Sequence, residues 1–269
     1  MRGASGQALT AALDRIEPML SRPDSGRLGE ELFEVASLLD GSVGLRRAMT
    51  DPSREGQAKV DLVERLLGSQ VTGTTVDVVS GLVRDRWSSS ADLAQACEQL
   101  GVLAVLGAAE QAGTLEQVES DLFRFGRIID SDPGLRAALS DRRAPVAVKA
   151  ELVDRLLEGK VTVHTKVLAR RGLSQPRGRR IEAVVEQLGQ AVAARRDRTV
   201  ARVTTAVPLE EAQRERLAAA LGRIYGRVVH LDVDVDPEVL GGMHIQVADE
   251  VIDASVLARM AAARRQLTG

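Results

Sequence analysis

The chain has 269 residues, 44% of them hydrophobic and 28% charged, with a formal net charge of −2. Aromatic residues make up 2%, so a core must come from Leu, Val, Ile and Ala, which favours packed helices over an aromatic-lined pocket. The near-neutral charge argues against nucleic acid as the main partner. The single cysteine, Cys97, excludes an internal disulfide framework and a cysteine-based zinc site.

Length suggests two or three domains. The N-terminus shows no signal-peptide core before acidic residues begin. No apolar run approaches the roughly 18 residues needed to span a bilayer. These features predict a soluble, intracellular protein.

In chain order, apolar spacing predicts helices near 5–20, 26–40, 43–50, 54–68, 73–86 and 89–111. Asp51-Pro52 reads as an N-cap followed by Pro at the first helical position, and Thr72 as the cap of the following helix. Trp87, followed by Ser88, Ser89 and Ser90, reads as a helix-end packing residue or as an interface anchor. Further helices are predicted near 114–130, 134–140, 145–158, 163–172 and 179–197. Asp132-Pro133 and Thr162 supply caps, and Pro145 sits in a first turn. Two basic runs, Arg177-Gly178-Arg179-Arg180 and Arg195-Arg196-Asp197-Arg198, bracket the last helix. Such runs are ordinarily solvated; binding acidic residues of a partner is the alternative.

The two series are one series written twice. KVDLVERLLGSQVT (59–72) returns as KAELVDRLLEGKVT (149–162), and ELFEVASLLD (31–40) as DLFRFGRIID (121–130). GLRRAMTD (44–51) returns as GLRAALSD (134–141). Leu62, Val63, Leu66 and Leu67 form an apolar stripe that Leu152, Val153, Leu156 and Leu157 repeat. The retained letters are mostly those that pack, while polar positions drift. The shift of 90 residues makes 91–113 both the last helix of the first copy and the first helix of the second. One continuous helix, about 91–112, is therefore expected to serve two bundles. At 1.5 Å per residue, about 20 residues span roughly 30 Å. The expected domains are 1–105, 106–197 and 198–269.

Beyond 197 the period changes. TVARVTTAV (199–207) alternates as a strand. Pro208 opens a helix with Leu209, Leu217, Leu221 and Ile224 on its buried side. VVHLDVDVD (228–236) and MHIQV (243–247) are strands. Gly241-Gly242 allows a bulge or strand entry. Ala248, Asp249 and Glu250 turn the chain, VID pairs back, and ASVLARMAAARRQL closes it as a helix. The fold class is thus mainly α: two tandem helical bundles sharing a helix, then a small β-α-β-β-α domain.

Enzymatic readings are weak. His230 and His244 are expected in adjacent strands, yet no third residue is spaced to complete a metal site with them or with His164. His244, Asp253 and Ser255 contain triad residue types, but Ser255 stands where a helix cap belongs and no nucleophile elbow surrounds it. Gly241-Gly242 is followed by a strand, whereas a phosphate cradle needs a helix N-terminus.

The stretch VVHLDVDVDPEVLGGMHIQVADEVIDASVLARM resembles the delta subunit of bacterial F-type ATP synthase, a relative of the oligomycin-sensitivity-conferring protein. The residues that carry the resemblance are Asp236-Pro237, Gly241-Gly242, Ile245, Val247 and Ile252-Asp253-Ala254-Ser255, with Thr204-Thr205-Ala206-Val207-Pro208-Leu209 before them. It extends over about 100–269. Residues 1–100 are additional and read as a duplicated helical domain of actinobacterial type. The resemblance implies a non-catalytic connector with no cofactor, metal or membrane insertion, at the cytoplasmic face of the bacterial cell membrane. It implies alpha subunits of the catalytic head as partners, with beta as an additional neighbour, and b-type stalk subunits. In the family, a groove beside the bundle's first helix receives an alpha-subunit N-terminal helix. Gly101, Ala104 and Leu106 are the corresponding candidates, although the family's aromatic is missing there. Both copies therefore stand as candidates for the groove. Asp236, Pro237, Gly241, Gly242, Asp253 and Ser255 form the C-terminal signature. A different class of reading is a helical regulatory adaptor with a ligand-sensing α/β tail.

Overall fold

The repeated apolar spacing is realised as helices with matching bounds. The structure is a computed structural model and describes residues 1, 3–196, 199–225, 229–236, 243–247 and 250–253. The first series comprises α1 (Gly3–Leu20), α2 (Ser25–Gly41), α3 (Val43–Thr50), α4 (Gly56–Leu67), α5 (Gly73–Arg84) and α6 (Ser90–Gln111). The second comprises α7 (Leu115–Ser131), α8 (Pro133–Ser140), α9 (Val146–Leu157), α10 (Val163–Ser174) and α11 (Ile181–Arg196). A shift of 90 residues lays α2 to α5 on α7 to α10 end for end. The same shift lays α1 on α6, and α6 on α11.

The chain forms two compact units, Met1–Ala193 and one beginning at Ala194. The first contains two apolar cores. One gathers Ile16, Leu20, Leu32, Leu39, Val63, Val79 and Leu82. The other gathers Leu122, Phe125, Ile129, Val153, Leu157, Leu168 and Val184. Helix α6 feeds both: Leu93, Ala94, Cys97, Leu100 and Ala104 enter the first, while Val105, Leu106 and Ala109 enter the second. A helix buried on several sides needs apolar residues all round, and α6 has them. Burial pushes the Cys97 thiol up to about 12, which leaves it a packing residue.

Helix starts follow local chemistry. Asp132 accepts from the Leu135 N–H at 2.9 Å, with Pro133 at the first position of α8. Its counterpart is Ser42, which accepts from the Leu45 N–H at 3.2 Å. Asp51 is therefore not a helix N-cap. It follows α3 and accepts from the Ser53 N–H at 2.9 Å, a local turn that Asp141 repeats with Arg143 at 2.8 Å. Thr162 accepts from the Thr165 N–H at 3.1 Å as expected. Thr72 instead donates its hydroxyl to Glu31 at 2.7 Å. Of the predicted stripe in α4, Val63 and Leu67 are buried and Leu66 is exposed. Trp87 packs against the first core and donates to the Leu82 carbonyl at 2.7 Å, closing the end of α5.

The second unit contains β1 (Thr199–Thr205), α12 (Glu211–Tyr225), β2 (Val229–Val235), β3 (Met243–Val247) and β4 (Glu250–Asp253). The sheet order is β2-β1-β3-β4. Strands β1 and β2 are parallel, which requires a crossover, and α12 supplies it. Strand β3 lies antiparallel to both β1 and β4. Ala201, Val203, Leu221, Val229 and Ile245 form the core, with Leu209 and Leu217 packed against it. Ile224, expected on the buried side of α12, is exposed. Strand β1 separates β2 from β3, so His230 pairs with Val200 and His244 with Thr204 rather than with each other. The predicted closing helix lies outside the described residues.

Candidate interaction sites

The joint between the two bundles is built from small residues and one buried carboxylate. Helices α2 and α6 cross where Gly29 meets Gly101. A Cβ on Gly29 would lie 2.6 Å from Val105 Cγ2 and 2.8 Å from the Gly101 carbonyl oxygen. A Cβ on Gly101 would lie 2.7 Å from Phe33 Cε1. Real side chains do not approach so closely, so this crossing requires glycine on both helices. Phe33 is thereby pressed against the second core, 6% exposed.

Polar residues lock the same joint. Glu98 of α6, its side chain 8% exposed, accepts from Arg177 Nη1 at 2.9 Å and Arg179 Nη2 at 2.5 Å. Arg177 Nη2 reaches Asp40 of α2 at 2.7 Å. Arg171 of α10 lies over the Phe33 ring, 5.5 Å from its centroid, and donates to Ser37 and Gln175. Burial lowers the Arg171 pKa, opposed first by the nearby Glu98 charge. Arg177 takes φ 53 and Gly178 φ 80, a left-handed pair that turns the loop toward α6. For a non-glycine residue that conformation costs roughly 1–2 kcal/mol, which the paired contacts of Arg177 offset. The first basic run is therefore neither a solvated face nor free for a partner at Arg177 and Arg179. Those side chains clamp the second bundle to the first. Asp197 and Arg198 of the other run lie outside the described residues.

The groove candidates fall inside this assembly. Gly101 faces Phe33 and Gly29. Ala104 belongs to the first core and Leu106 to the second. In the second bundle, the flank of the first helix is thus occupied by α2 of the first bundle.

A second polar feature repeats, and apolar spacing alone does not reveal it. Glu31 accepts from the Thr72 N–H at 2.9 Å, from the Thr72 hydroxyl at 2.7 Å and from the Thr75 hydroxyl at 2.6 Å. Asp121 likewise accepts from the Thr162 N–H at 3.0 Å and the Thr165 hydroxyl at 3.1 Å. Arg27 and Arg124 cover the outer oxygens at 2.8 and 2.6 Å. A signal for it exists in the sequence: an acidic residue and two threonines recur at the same shift. Each unit anchors the start of its fifth helix, where anions are favoured.

Burial works against ionisation of Glu31, but hydrogen bonds from Thr75 and Thr72 outweigh it and hold its pKa below the ordinary 4.5. A depressed folded-state pKa gives stability that is present above the unfolded value and lost as pH falls through the folded one. Glu31→Gln is accordingly expected to destabilise the protein at pH 7, and the gap to wild type should shrink below about pH 4.5. Thermal melts at pH 7 and pH 3.5 test this; an unchanged gap would refute it.

In the C-terminal unit, the Asp236 N–H donates to the Thr205 carbonyl at 2.8 Å, extending the β1–β2 ladder. Asp253 pairs in register with His244. Pro237, Gly241, Gly242 and Ser255 lie outside the described residues. His164 is partly buried, its pKa lowered by that burial, with Nδ1 3.1 Å from the Thr114 hydroxyl. Among the described residues no group of three His, Cys, Asp or Glu side chains is placed to hold a metal, and no helix is long and apolar enough to cross a membrane.

A profile of the family described as ATP synthase delta (OSCP) subunit matches residues 102–267. The chain belongs to that family. Membership makes it a non-catalytic component of the peripheral stalk of an F-type ATP synthase. An "ATP synthase subunit delta" of Streptomyces avermitilis is 51% identical over 98% of this chain and 98% of its own length. Others of that description are 47% identical in Kineococcus radiotolerans, covering 99% of this chain and 98% of the relative, and 45% identical in Thermobifida fusca, covering 100% of both. The profile begins inside α6, whereas these actinobacterial delta subunits align with α1 to α5 as well. Helices α1 to α5 are therefore shared with them and lie outside the family's matched span.

Proposed function

We propose that this delta-family chain joins the catalytic head to the b-type stalk subunits at the cytoplasmic face of the membrane and resists rotor torque. The helical unit holds the N-terminal helices of alpha subunits, and the C-terminal α/β unit holds the b-type subunits. The observation that supports this reading is the clamped joint, in which one 22-residue helix and the Glu98 cluster bind two bundles together. A strut under torque must not bend at its middle, and a helix with cores packed on both sides resists bending more than a linker does.

The joint also favours one bundle for the head. Helix α2 occupies the flank of α6 that would be the groove in the second bundle. The equivalent positions on α1 are Ala11 and Arg15, and Arg15 reaches Asp85 just past α5 at 2.5 Å. We assign the alpha-subunit helix to the α1–α5 side of the first bundle, as a helix laid into a groove between two helices. Nanomolar retention at either contact needs about −12 kcal/mol, and two contacts on one chain hold longer than either alone.

Deleting 199–269 is expected to release the b-type subunits in pull-downs while leaving the head bound. Loss of the head with retention of the stalk would reverse the assignment of the two units.

A further inference from the structure

The two bundles share a plan, so a face covered in one shows what suits the same face in the other. In the first bundle, Phe33, Ser37 and Asp40 line one face of α2. The end of α10 and the following loop cover it: Arg171 over the Phe33 ring, Arg177 on Asp40. The same positions of α7 are Phe123, Arg127 and Asp130. Phe123 is 67% exposed, against 6% for Phe33.

The helix pair behind that face also differs. In the first bundle Gly29 lets α2 close on α6. Its counterpart on α7 is Glu119, and an open groove of about 310 Å³ runs along α7 and α11, which meet at Gly126, where an added Cβ would lie 3.2 Å from Val185 Cγ1. Leu122, Phe123 and Val185 supply apolar lining. Glu119, Asp130, Glu182 and Glu186 outnumber Arg127 on the rim. Where Glu98 stands in the first bundle the second has Leu188, buried in the second core, so no carboxylate waits there for an arginine.

We propose that the α7–α11 groove is a docking site for the basic end of an amphipathic helix belonging to another polypeptide of the assembled complex. The helix lays an apolar residue beside Phe123 and Val185 and directs Arg or Lys toward Asp130 and Glu186. The precedent is intramolecular: Arg171 near the end of α10 covers Phe33, and Arg177 of the loop after it covers Asp40. The acidic rim selects a basic occupant, and exposed Phe123 gives it an aromatic face to stack upon. This site is separate from the α1–α5 face assigned above, so either assignment can fail without the other.

The test places p-benzoyl-phenylalanine at Phe123 in the full chain, assembled into the ATP synthase complex, with Val148 on α9 as an exposed control position. Photocrosslinking at 123 is expected to give an adduct with a neighbouring segment that bears two or more Arg or Lys at helical spacing. Asp130→Lys combined with Glu186→Lys should lower its yield at least fivefold and leave the melting temperature of the free chain unchanged. An adduct with an acidic or uncharged segment, an adduct with a second copy of this chain, or a yield indifferent to charge reversal overturns the proposal. Hydrogen exchange provides a readout that needs no crosslinker. Helices α7 and α11 should be protected in the complex relative to the free chain, and equal exchange would also overturn it.

Discussion

Glu98→Ala is expected to destabilise the helical unit by about 3–5 kcal/mol, the usual consequence of removing one member of a buried charge cluster. The Glu98 carboxylate accepts from both Arg177 and Arg179, at 2.9 and 2.5 Å, and Arg171 Nη2 lies 3.9 Å from it. Its removal leaves mutually repelling guanidinium groups around an apolar hole. Arg179 is the most exposed of the three and can turn to water, but Arg171 is buried and cannot. For a unit of this size, 1 kcal/mol moves the melting temperature by roughly 2–4 °C, so a fall of about 10 °C should be seen. Calorimetry on the full chain measures it, and a fall below about 3 °C would show that the cluster contributes little. A cycle with Arg177→Ala separates pairing from packing: the double variant should lose less than the two single losses added. The second bundle should also become more accessible to protease in the loop from 175 to 180, since Glu98 is what that loop grips.

The joint shows why some of this molecule is legible in sequence and some is not. Helix bounds and the β-α-β-β order follow from periodicity, because burial of a stripe forces a period on the letters, and the shared role of α6 follows from the 90-residue repeat. Val63 and its counterpart Val153 are readable for that reason, and both are fully buried. Long-range polar contacts impose no period. Arg177 and Glu98 are far apart in the chain, and a basic run beside a proline looks like solvated surface until the fold brings a carboxylate to it. The Glu31 and Asp121 units sit between these cases, since comparing the two copies marks them even though periodicity does not. Gly101 stands as a groove candidate through the family resemblance, which places an approach beside that helix without saying what approaches in this chain. Here the visitor is α2 of the same chain. In β2 and β3 the residue pattern locates the strands but not their order, and the order is what separates His230 from His244.

Gly29→Ala should test that close approach most directly, because its effect is expected to have the opposite sign from that of an ordinary helix glycine. In an open position, replacing glycine by alanine stabilises a helix, by about 0.4–1 kcal/mol through the unfolded chain's lost freedom. Gly44 in α3 has nothing within 4 Å of an added Cβ and provides that control. At Gly29 the new Cβ would meet Val105 Cγ2 at 2.6 Å, the Gly101 oxygen at 2.8 Å and the Val105 nitrogen at 3.0 Å. A side chain can rotate away, but two of these three atoms are backbone, so α2 must lift off α6 as a body. Overpacking in a core costs typically 1–3 kcal/mol, and here the shift would also loosen Phe33 from the second core. Gly29→Ala is therefore expected to lose at least about 2 kcal/mol while Gly44→Ala gains. Gly29→Glu, which installs the residue found at the matching position of α7, should lose more. Glu119→Gly should leave the fold intact, since the α7–α11 pair is already open around position 119. Denaturant melts of the four variants decide the matter: if Gly29→Ala tracks Gly44→Ala, α2 and α6 do not touch backbone to backbone, and the shared helix α6 and the Glu98 cluster hold the bundles without that approach.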